Sequence, residues 1–202
     1  WVAVTANQVI TSADIGANRL RFNPAANANG AGYATFTFSV RDATTFDAAP
    51  NTITVNVTAV NDAPTGANAT ATATEDTPLV LTAANFGFSD VDAGDTLGAV
   101  RIDTVASAGT LQYDTTGGGN WVAVTANQVI TSADIGANRL RFSPAANANG
   151  AGYATFTFSV RDATTFDAAP NTITVNVTAV NDAPTGANAT VTATEDTPLT
   201  LT

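Results

Sequence analysis

The stretch TFTFSV at residues 155–160, together with TITVNVT at 172–178, decides the fold of this chain. Apolar and polar residues alternate along both stretches, and a period of two predicts strands that bury one face and expose the other. The side chains expected to face a core are Phe156, Phe158, Val160, Ile173, Val175 and Val177. These two half-buried strands are the clearest elements that the sequence predicts.

The rest of the chain shows the same β pattern in shorter segments. Clusters of Gly, Asn, Pro and Asp separate these segments and predict turns, for example GGGN at 117–120 and DAAPN at 167–171. Within residues 61–180 we predict seven strands, at 69–74, 79–88, 97–105, 110–125, 139–143, 154–161 and 171–180. Many short strands at this spacing are typical of an all-β sandwich.

The chain contains an internal repeat with a period of 120 residues. Residues 1–82 return as residues 121–202, and the two segments differ only at Asn23/Ser143, Ala71/Val191 and Val80/Thr200. A catalytic domain gains little from being copied almost unchanged along one chain, whereas an array gains reach and valency. The repeat therefore favours a spacer or a presenting module.

A short motif marks the boundaries of the repeats. NDAP occurs at residues 61–64 and again at 181–184, each time directly after a long predicted strand. Proline interrupts strand pairing, and Asn-Asp favours a turn. We therefore expect one complete repeat at 61–180, the C-terminal half of a preceding repeat at 1–60, and the N-terminal strands of a following repeat at 181–202.

The composition excludes several classes of function. The chain has seventeen acidic and seven basic residues, and its formal charge of −10 argues against nucleic acid as a partner. The chain has no Cys and no His, and it therefore lacks thiolate chemistry, the usual transition-metal ligands and the commonest general base. We expect no enzymatic activity and, since no long apolar run occurs, no membrane insertion by this segment.

Acidic residues are predicted to collect at the two ends of the complete repeat. Successive antiparallel strands alternate in direction, so every second loop lies at the same end. At the N-terminal end we expect Asn61, Asp62, Asp90, Asp92, Asp95, Asp134, Asp162 and Asp167. At the C-terminal end we expect Glu75, Asp76, Asn147, Asn149, Asn181 and Asp182.

Such groups of oxygen ligands predict calcium. Carboxylates held close together repel one another unless a cation lies between them. Carboxylate, amide and main-chain oxygens without nitrogen or sulfur form the ligand set of Ca²⁺, and Mg²⁺ fits less well because it demands tight octahedral geometry. The segment DVDAGD at 90–95 resembles the start of an EF-hand loop, but no Glu occupies the twelfth position. Taken alone, an Asp-x-Asp loop is also typical of a solvated turn.

Several motifs together resemble the cadherin-like, immunoglobulin-like tandem repeats of large bacterial surface adhesins, including RTX adhesins. The matching segments cover most of residues 61–180: NDAP at 61–64, TEDTP at 74–78, SDVD at 89–92, FSPAANANG at 142–150, FTFSVRD at 156–162 and VNVTAVND at 175–182. The resemblance implies that the all-β fold is an Ig-like (cadherin-like) antiparallel β-sandwich. It also implies Ca²⁺ at domain junctions, held by Asp62, Asp90, Asp92 and Asp162 at the first junction and by Glu75 and Asp182 at the second. One departure is that Asn147 and Asn149 stand where vertebrate cadherins carry acidic residues.

The expected function is a Ca²⁺-stiffened structural extender repeat of a bacterial surface adhesin, which projects a ligand-binding tip from the cell. The resemblance implies an extracellular location at the bacterial surface after type I secretion, with neighbouring repeats of the same chain as partners. An alternative is a repeat module that itself binds glycan, ice or another copy through multivalent contacts. A binder should show an exposed aromatic or polar patch, whereas an extender should carry its ligands at its ends.

The incomplete repeats predict one further interaction. Residues 1–60 lack the first predicted strands of a repeat, and residues 181–202 supply such strands. We therefore expect head-to-tail self-association between copies, with a gap where the third strand belongs.

Overall fold

The computed structural model describes residues 1–201, and this part of the chain is all-β with several antiparallel sheets. The eleven strands are β1 (Gly30–Phe38), β2 (Asn51–Val57), β3 (Ala69–Thr74), β4 (Leu79–Val80), β5 (Ala99–Thr104), β6 (Thr110–Asp114), β7 (Trp121–Ala123), β8 (Gln128–Thr131), β9 (Leu140–Ser143), β10 (Gly150–Arg161) and β11 (Asn171–Thr178). Two short α-helices, α1 (Ser12–Gly16) and α2 (Ser132–Gly136), and one 3-10 helix (Ala83–Phe86) complete the elements. No helix in the described residues combines the length and the apolar character that crossing a membrane requires.

Residues 61–180 form two sheets. The larger sheet has five strands in the order β3-β11-β10-β5-β8, and the smaller has four in the order β4-β9-β6-β7. All neighbouring strands are antiparallel except β3 and β11, which run parallel with Ile173 opposite Ala69 and Thr178 opposite Thr74. Strand β3 therefore forms one edge of the larger sheet and runs parallel to β11, the last strand of the repeat.

One hydrophobic core takes side chains from both sheets, which gives the repeat a sandwich-like architecture. The alternating residues of β10 and β11 supply much of it, as their period of two predicts. The largest fully buried side chains are Phe86, Phe142, Phe156, Phe158, Leu81, Ile102, Ile130, Ile135, Leu140 and Ile173. All six core residues that the sequence analysis assigned to these two strands are buried.

The all-β prediction is confirmed, but the structure contains nine strands where seven were predicted for the repeat. The predicted strand 79–88 ends at Val80 and continues as the 3-10 helix. The predicted strand 110–125 is a hairpin of β6 and β7, because Asp114 accepts hydrogen bonds from the N–H groups of Gly117, Gly119 and Asn120 and closes a turn. Strand β8 was not predicted at all.

Residues 1–60 match residues 121–180 at every position except Asn23/Ser143, but they do not form the same full structure. Their strands β1 and β2 form a two-stranded sheet in the same register as β10 and β11. The segments equivalent to β7, β8 and β9 form no strands there. Phe36 and Ile53 are 43% and 41% exposed, whereas their counterparts Phe156 and Ile173 are 1% and 0% exposed. The difference follows from the absence of a second sheet against this hairpin in the described residues.

Candidate metal site

Three aspartates converge in the loop that leads from the 3-10 helix to β5. Ligand oxygens of Asp90, Asp92 and Asp95 all lie within 4.8 Å of one another, and we call these residues the aspartate cluster. The N–H of Asp92 donates to Oδ1 of Asp90 at 2.9 Å, and the N–H of Asp95 donates to the carbonyl of Asp92 at 3.2 Å. Gly94 takes a φ of +100°, which favours glycine and lets the loop turn back on itself. The local sequence therefore brings the three carboxylates together.

The boundary segment that precedes the repeat is hydrogen-bonded to this loop and to the end of β10. The N–H of Asp62 donates to Oδ2 of Asp92 at 2.7 Å. The side-chain amide of Asn61 donates to Oδ2 of Asp162 at 2.9 Å. These contacts join residues that are 30 and 101 positions apart in the sequence. They place Asn61, Asp62, Asp92 and Asp162 at one end of the repeat, as predicted from strand direction.

Asp162 is a fully buried carboxylate that is held in its charged form. Burial raises its pKa, but the N–H groups of Thr165 and Thr164 and the amide of Asn61 donate to it and outweigh burial, so the pKa falls to about 2. The side chain has no exposed surface. Asp162 therefore carries a negative charge at neutral pH, in contact with the boundary residue Asn61.

Asp95 has the opposite electrostatic environment. Asp95 is exposed, but partial loss of hydration raises its pKa, and the charges of Asp90, Asp92 and Asp162 raise it further. Three ion pairs occur within residues 1–201, and none of them involves the aspartate cluster. The repulsion among these carboxylates is therefore not compensated by a nearby side-chain cation.

The residues present fit a bound divalent cation. Oδ2 of Asp90 is buried and has no hydrogen-bond partner among the described residues. Burial removes the hydrogen bonds of this oxygen to water, and no donor from the protein replaces them. The other oxygens in reach come from carboxylates and from the main chain, which suits a hard cation such as Ca²⁺ better than a soft one. This orphaned oxygen is the feature of the site that points most directly to a ligand.

The C-terminal group of predicted ligands is organised differently. Glu75 is 3% exposed, and its carboxylate accepts from the N–H of Val180 at 2.8 Å and from the amide of Asn149 at 3.0 Å. The hydrogen bond from Val180, followed by that from Asn149, lowers the pKa of Glu75. Asp76 accepts from the N–H of Asn147 at 3.0 Å. The structure thus brings Glu75 and Asp76 to the loop before β10, through hydrogen bonds that close the end of the sandwich.

The remaining predicted ligands at this end lie in the solvent. Asn181 and Asp182 are exposed, and the amide of Asn181 donates to the carbonyl of Asp182 at 3.3 Å. The structure shows no convergence of these two residues with Glu75 within the described part of the chain. The two ends of the repeat therefore differ, and only the N-terminal end gathers several carboxylates.

Two aspartates predicted for the N-terminal group do not belong to the aspartate cluster. Asp134 accepts from Thr131 and Tyr113 and forms an ion pair with Arg139. Asp167 is 9% exposed and accepts from Asn171 at 3.0 Å.

Both aspartates nevertheless lie at the N-terminal end that loop order predicts. Asp167 lines a surface pocket together with Ala63 and Pro64, and the first residue of α2, Ser132, donates its N–H to Gly98 just before β5. The group of three carboxylates that converges there contains neither of them. The only signal for this in the sequence is the short spacing between each aspartate and a polar partner, Thr131 and Arg139 for Asp134 and Asn171 for Asp167.

Comparisons of the chain with protein-family models, with curated proteins and with solved structures found no match. The function must therefore be inferred from the repeat, the fold and the geometry of the aspartate cluster.

Proposed function

We propose that this chain is a structural extender repeat of a bacterial surface adhesin, stiffened by Ca²⁺ at the junction that precedes each complete repeat. The observation that carries the proposal is the aspartate cluster, whose ligand oxygens lie within 4.8 Å of one another and which hydrogen-bonds to the boundary residue Asp62. The ligand donors thus come from both sides of a repeat boundary. A cation bound there would fix the boundary segment to the repeat.

Four residues from three segments would hold the ion. Asp90 and Asp92 would provide carboxylate oxygens from one loop, Asp162 would provide a buried charge, and Asp62 would come from the boundary itself. Asp95 and Asn61 complete the set of candidate ligands. Bound Ca²⁺ would supply positive charge that relieves carboxylate repulsion and links these segments. Glu75, Asp76, Asn181 and Asp182 are candidate ligands of the next junction, where the following repeat would contribute its own loop.

The bound ion would stiffen the chain because the site joins the boundary segment to the complete repeat. Residues 58–61 connect the hairpin of β1 and β2 to the complete repeat and belong to no strand. In a chain without Ca²⁺, only hydrogen bonds from Asn61 and Asp62 hold the boundary segment against the repulsion between carboxylates, and the connection can bend. In the bound state the boundary and the repeat share one ion. A row of such junctions would hold a long array straight.

The fold supports an assignment to Ig-like, cadherin-like sandwiches. The parallel pairing of the first strand with the last one and the core shared by two sheets suit such a module. An acidic, cysteine-free tandem repeat suits an extracellular bacterial array that stays soluble through self-repulsion. Type I secretion and the adhesin context rest on the resemblance of the repeat motifs.

One observation favours an extender over a module that binds glycans. An exposed Trp ring could stack on a sugar, but the guanidinium of Arg141 lies 3.8 Å from the centroid of the Trp121 ring and covers a face of it. The carboxylates, in contrast, lie at a repeat boundary. An extender is expected to carry its ligands at its ends, and it needs no open aromatic face for binding a sugar.

A thermal melt in excess EGTA, followed by a Ca²⁺ titration, tests the proposal. We expect a saturable rise in the melting temperature, because an ion that binds only the folded state adds about 2.7 kcal/mol at a hundredfold excess over its dissociation constant. Mg²⁺ should produce a much smaller rise. Asp90→Asn and Asp92→Asn should abolish the Ca²⁺ effect, whereas Asp196→Asn, at an exposed position outside the cluster, should retain it. Equal melting curves with and without Ca²⁺ would refute the junction site.

A further inference from the structure

Strand β3 is an edge strand whose outer side pairs with no strand in the described residues. Its neighbour in the five-stranded sheet is β11, and both strands lie inside the complete repeat. The N–H of Glu75 donates to the carbonyl of Thr178, and the hydroxyl of Thr178 donates to the carbonyl of Ala73, so Ala73 and Glu75 face β11. Since alternate residues of a strand face opposite neighbours, the three threonines of β3 direct their N–H groups and carbonyls away from the sheet.

Strand β3 carries none of the features that protect an edge strand from pairing. It is the longest of the four edge strands of the complete repeat, since β4, β7 and β8 have two, three and four residues. Its sequence, ATATAT, contains no charge and no proline, and its register with β11 runs without a bulge. Thr70, Thr72 and Thr74 are exposed, whereas Thr172 and Thr174 on the same face of β11 are half-buried. An uncharged edge of this kind is a template for pairing with another strand.

We propose that the outer edge of β3 binds the outer edge of β3 in a second copy of this chain, as an antiparallel pair with Thr72 on a two-fold axis. In this register Thr72 lies opposite Thr72 of the second copy, and Thr70 lies opposite Thr74. All of them face outward, so each pair is of the hydrogen-bonded type. The two five-stranded sheets would then form one continuous sheet. The proposal is independent of Ca²⁺ and goes beyond the extender function.

The edge is complementary to itself, as a two-fold contact requires. The register centred on Thr72 uses every outward-facing residue of both strands, whereas a shifted register leaves at least one threonine without a strand residue opposite it. Threonine then faces threonine at each position, and cross-strand threonine pairs stabilise a sheet. The carbonyl of Thr74 already accepts from the N–H of Thr77 at 3.1 Å, but its second lone pair is available to the other copy.

The residues that flank β3 also suit this register. Continuing it brings Asn68 of each copy towards Asp76 of the other. The oxygen of Asn68 accepts from the N–H of Thr172, and its amide nitrogen donates to no group in the described residues. Asp76 is exposed, and its Oδ1 accepts from the N–H of Asn147. An amide donor would therefore meet a carboxylate at both ends of the ladder, which points to a second copy as the occupant of the edge.

The contact between two single repeats would be weak. Two paired edge strands bury less than the about 1,200–2,000 Å² of stable interfaces, and each copy carries a formal charge of −10. In the array proposed above, each complete repeat would present the same edge, so many weak contacts would act together. Covalent trapping captures such short-lived complexes and is therefore the appropriate measurement.

Single cysteine variants in EGTA test the pairing, because the chain has no Cys of its own. Thr72→Cys should form a disulfide-linked dimer under mild oxidation, since the Cα atoms of a hydrogen-bonded pair lie about 5.5 Å apart, within the reach of a disulfide. Thr155→Cys is the matched control, because Thr155 is exposed on the same sheet face but lies two strands away from this edge. This control should remain a monomer of 20.4 kDa.

The flanking threonines test the register. Thr70→Cys alone should stay unlinked, since the two Thr70 positions lie about 13 Å apart in this register and a disulfide spans about 7 Å at most. Thr74→Cys alone should also stay unlinked, whereas an equimolar mixture of the two variants should form a mixed dimer. Adding Thr72→Pro to both chains should abolish this link, because proline removes a central N–H and is tolerated on the outward side of an edge strand.

Circular dichroism and the melting temperature of every variant should match those of the unsubstituted chain. The absence of a linked dimer at all concentrations, equal linking of Thr72→Cys and Thr155→Cys, or linking of Thr70→Cys alone would overturn the proposal. So would a mixed link that persists in a folded Thr72→Pro background. The Ca²⁺ titration tests the proposed function separately, so the failure of one leaves the other standing.

Discussion

At the scale of single residues, Asp162 and its copy Asp42 show how context sets the role of one carboxylate. Both accept hydrogen bonds from the two N–H groups that follow in the chain, from Thr164 and Thr165 or from Thr44 and Thr45. Only Asp162 is fully buried and accepts from Asn61. The shared turn is local, whereas the additional contact depends on the repeat boundary.

We expect Asp162→Asn to destabilise the fold by about 1–3 kcal/mol, because one buried acceptor becomes a donor and its N–H partners lose their acceptor. Urea unfolding in EGTA measures the change in the free energy of unfolding. Asp42→Asn is the matched control and should change that free energy by less than about 0.5 kcal/mol, since Asp42 is exposed. Equal effects of the two substitutions would contradict the role assigned to the boundary contact.

Asp95 leads to a prediction about pH. Its pKa is raised in the folded chain by partial loss of hydration and by the charges of Asp90, Asp92 and Asp162. The folded state therefore binds a proton more readily than the unfolded state, and this residue destabilises the fold at neutral pH but not below the unfolded pKa of about 3.9. In EGTA, Asp95→Asn should melt higher than the unsubstituted chain at pH 7, and the difference should vanish towards pH 4. A difference that does not depend on pH would show that charge repulsion is not the cause.

At the scale of elements, the chain provides its own controls for what local sequence determines. The period of two predicted β10 and β11 correctly, and their copies β1 and β2 form the same hairpin even without a second sheet. Strand β8 was missed, and its copy at residues 8–11 forms no strand. Strand β8 exists because Val100 and Arg101 of β5 pair with it. Pairing with a strand that is distant in the sequence produces no recognisable periodic pattern in a segment of only four residues.

A comparison of equivalent positions in the two copies also predicts how much the core contributes to the free energy of unfolding. Phe158 is fully buried, and Phe158→Ala should reduce the free energy of unfolding by about 3–5 kcal/mol through lost burial and a cavity. Phe38 occupies the equivalent position but is 38% exposed, so Phe38→Ala should cost much less. Urea denaturation monitored by circular dichroism gives both values. Similar losses would mean that residues 1–60 already have a completed core.

At the scale of the whole molecule, the sequence predicted which residues lie at each end of the repeat better than it predicted the contacts among them. Loop direction placed Asp90, Asp92, Asp162 and the boundary residues together, and the structure agrees. It also placed Asp134 at this end, but that residue pairs with Arg139 and does not belong to the aspartate cluster. Strand direction determines which loops share an end, but only side-chain partners determine which carboxylates meet.

The central claim is that Ca²⁺ restricts the angle between residues 1–60 and the complete repeat. The chain has no Cys, so Ser39→Cys and Thr70→Cys at exposed positions allow two spin labels to be placed uniquely. Pulsed electron paramagnetic resonance then measures the distribution of distances between the labels in EGTA, in Mg²⁺ and in Ca²⁺. We predict a broad distribution in EGTA and Mg²⁺ and a narrow one in Ca²⁺, which Asp90→Asn returns to the broad form. The same width in all three conditions would contradict the claim.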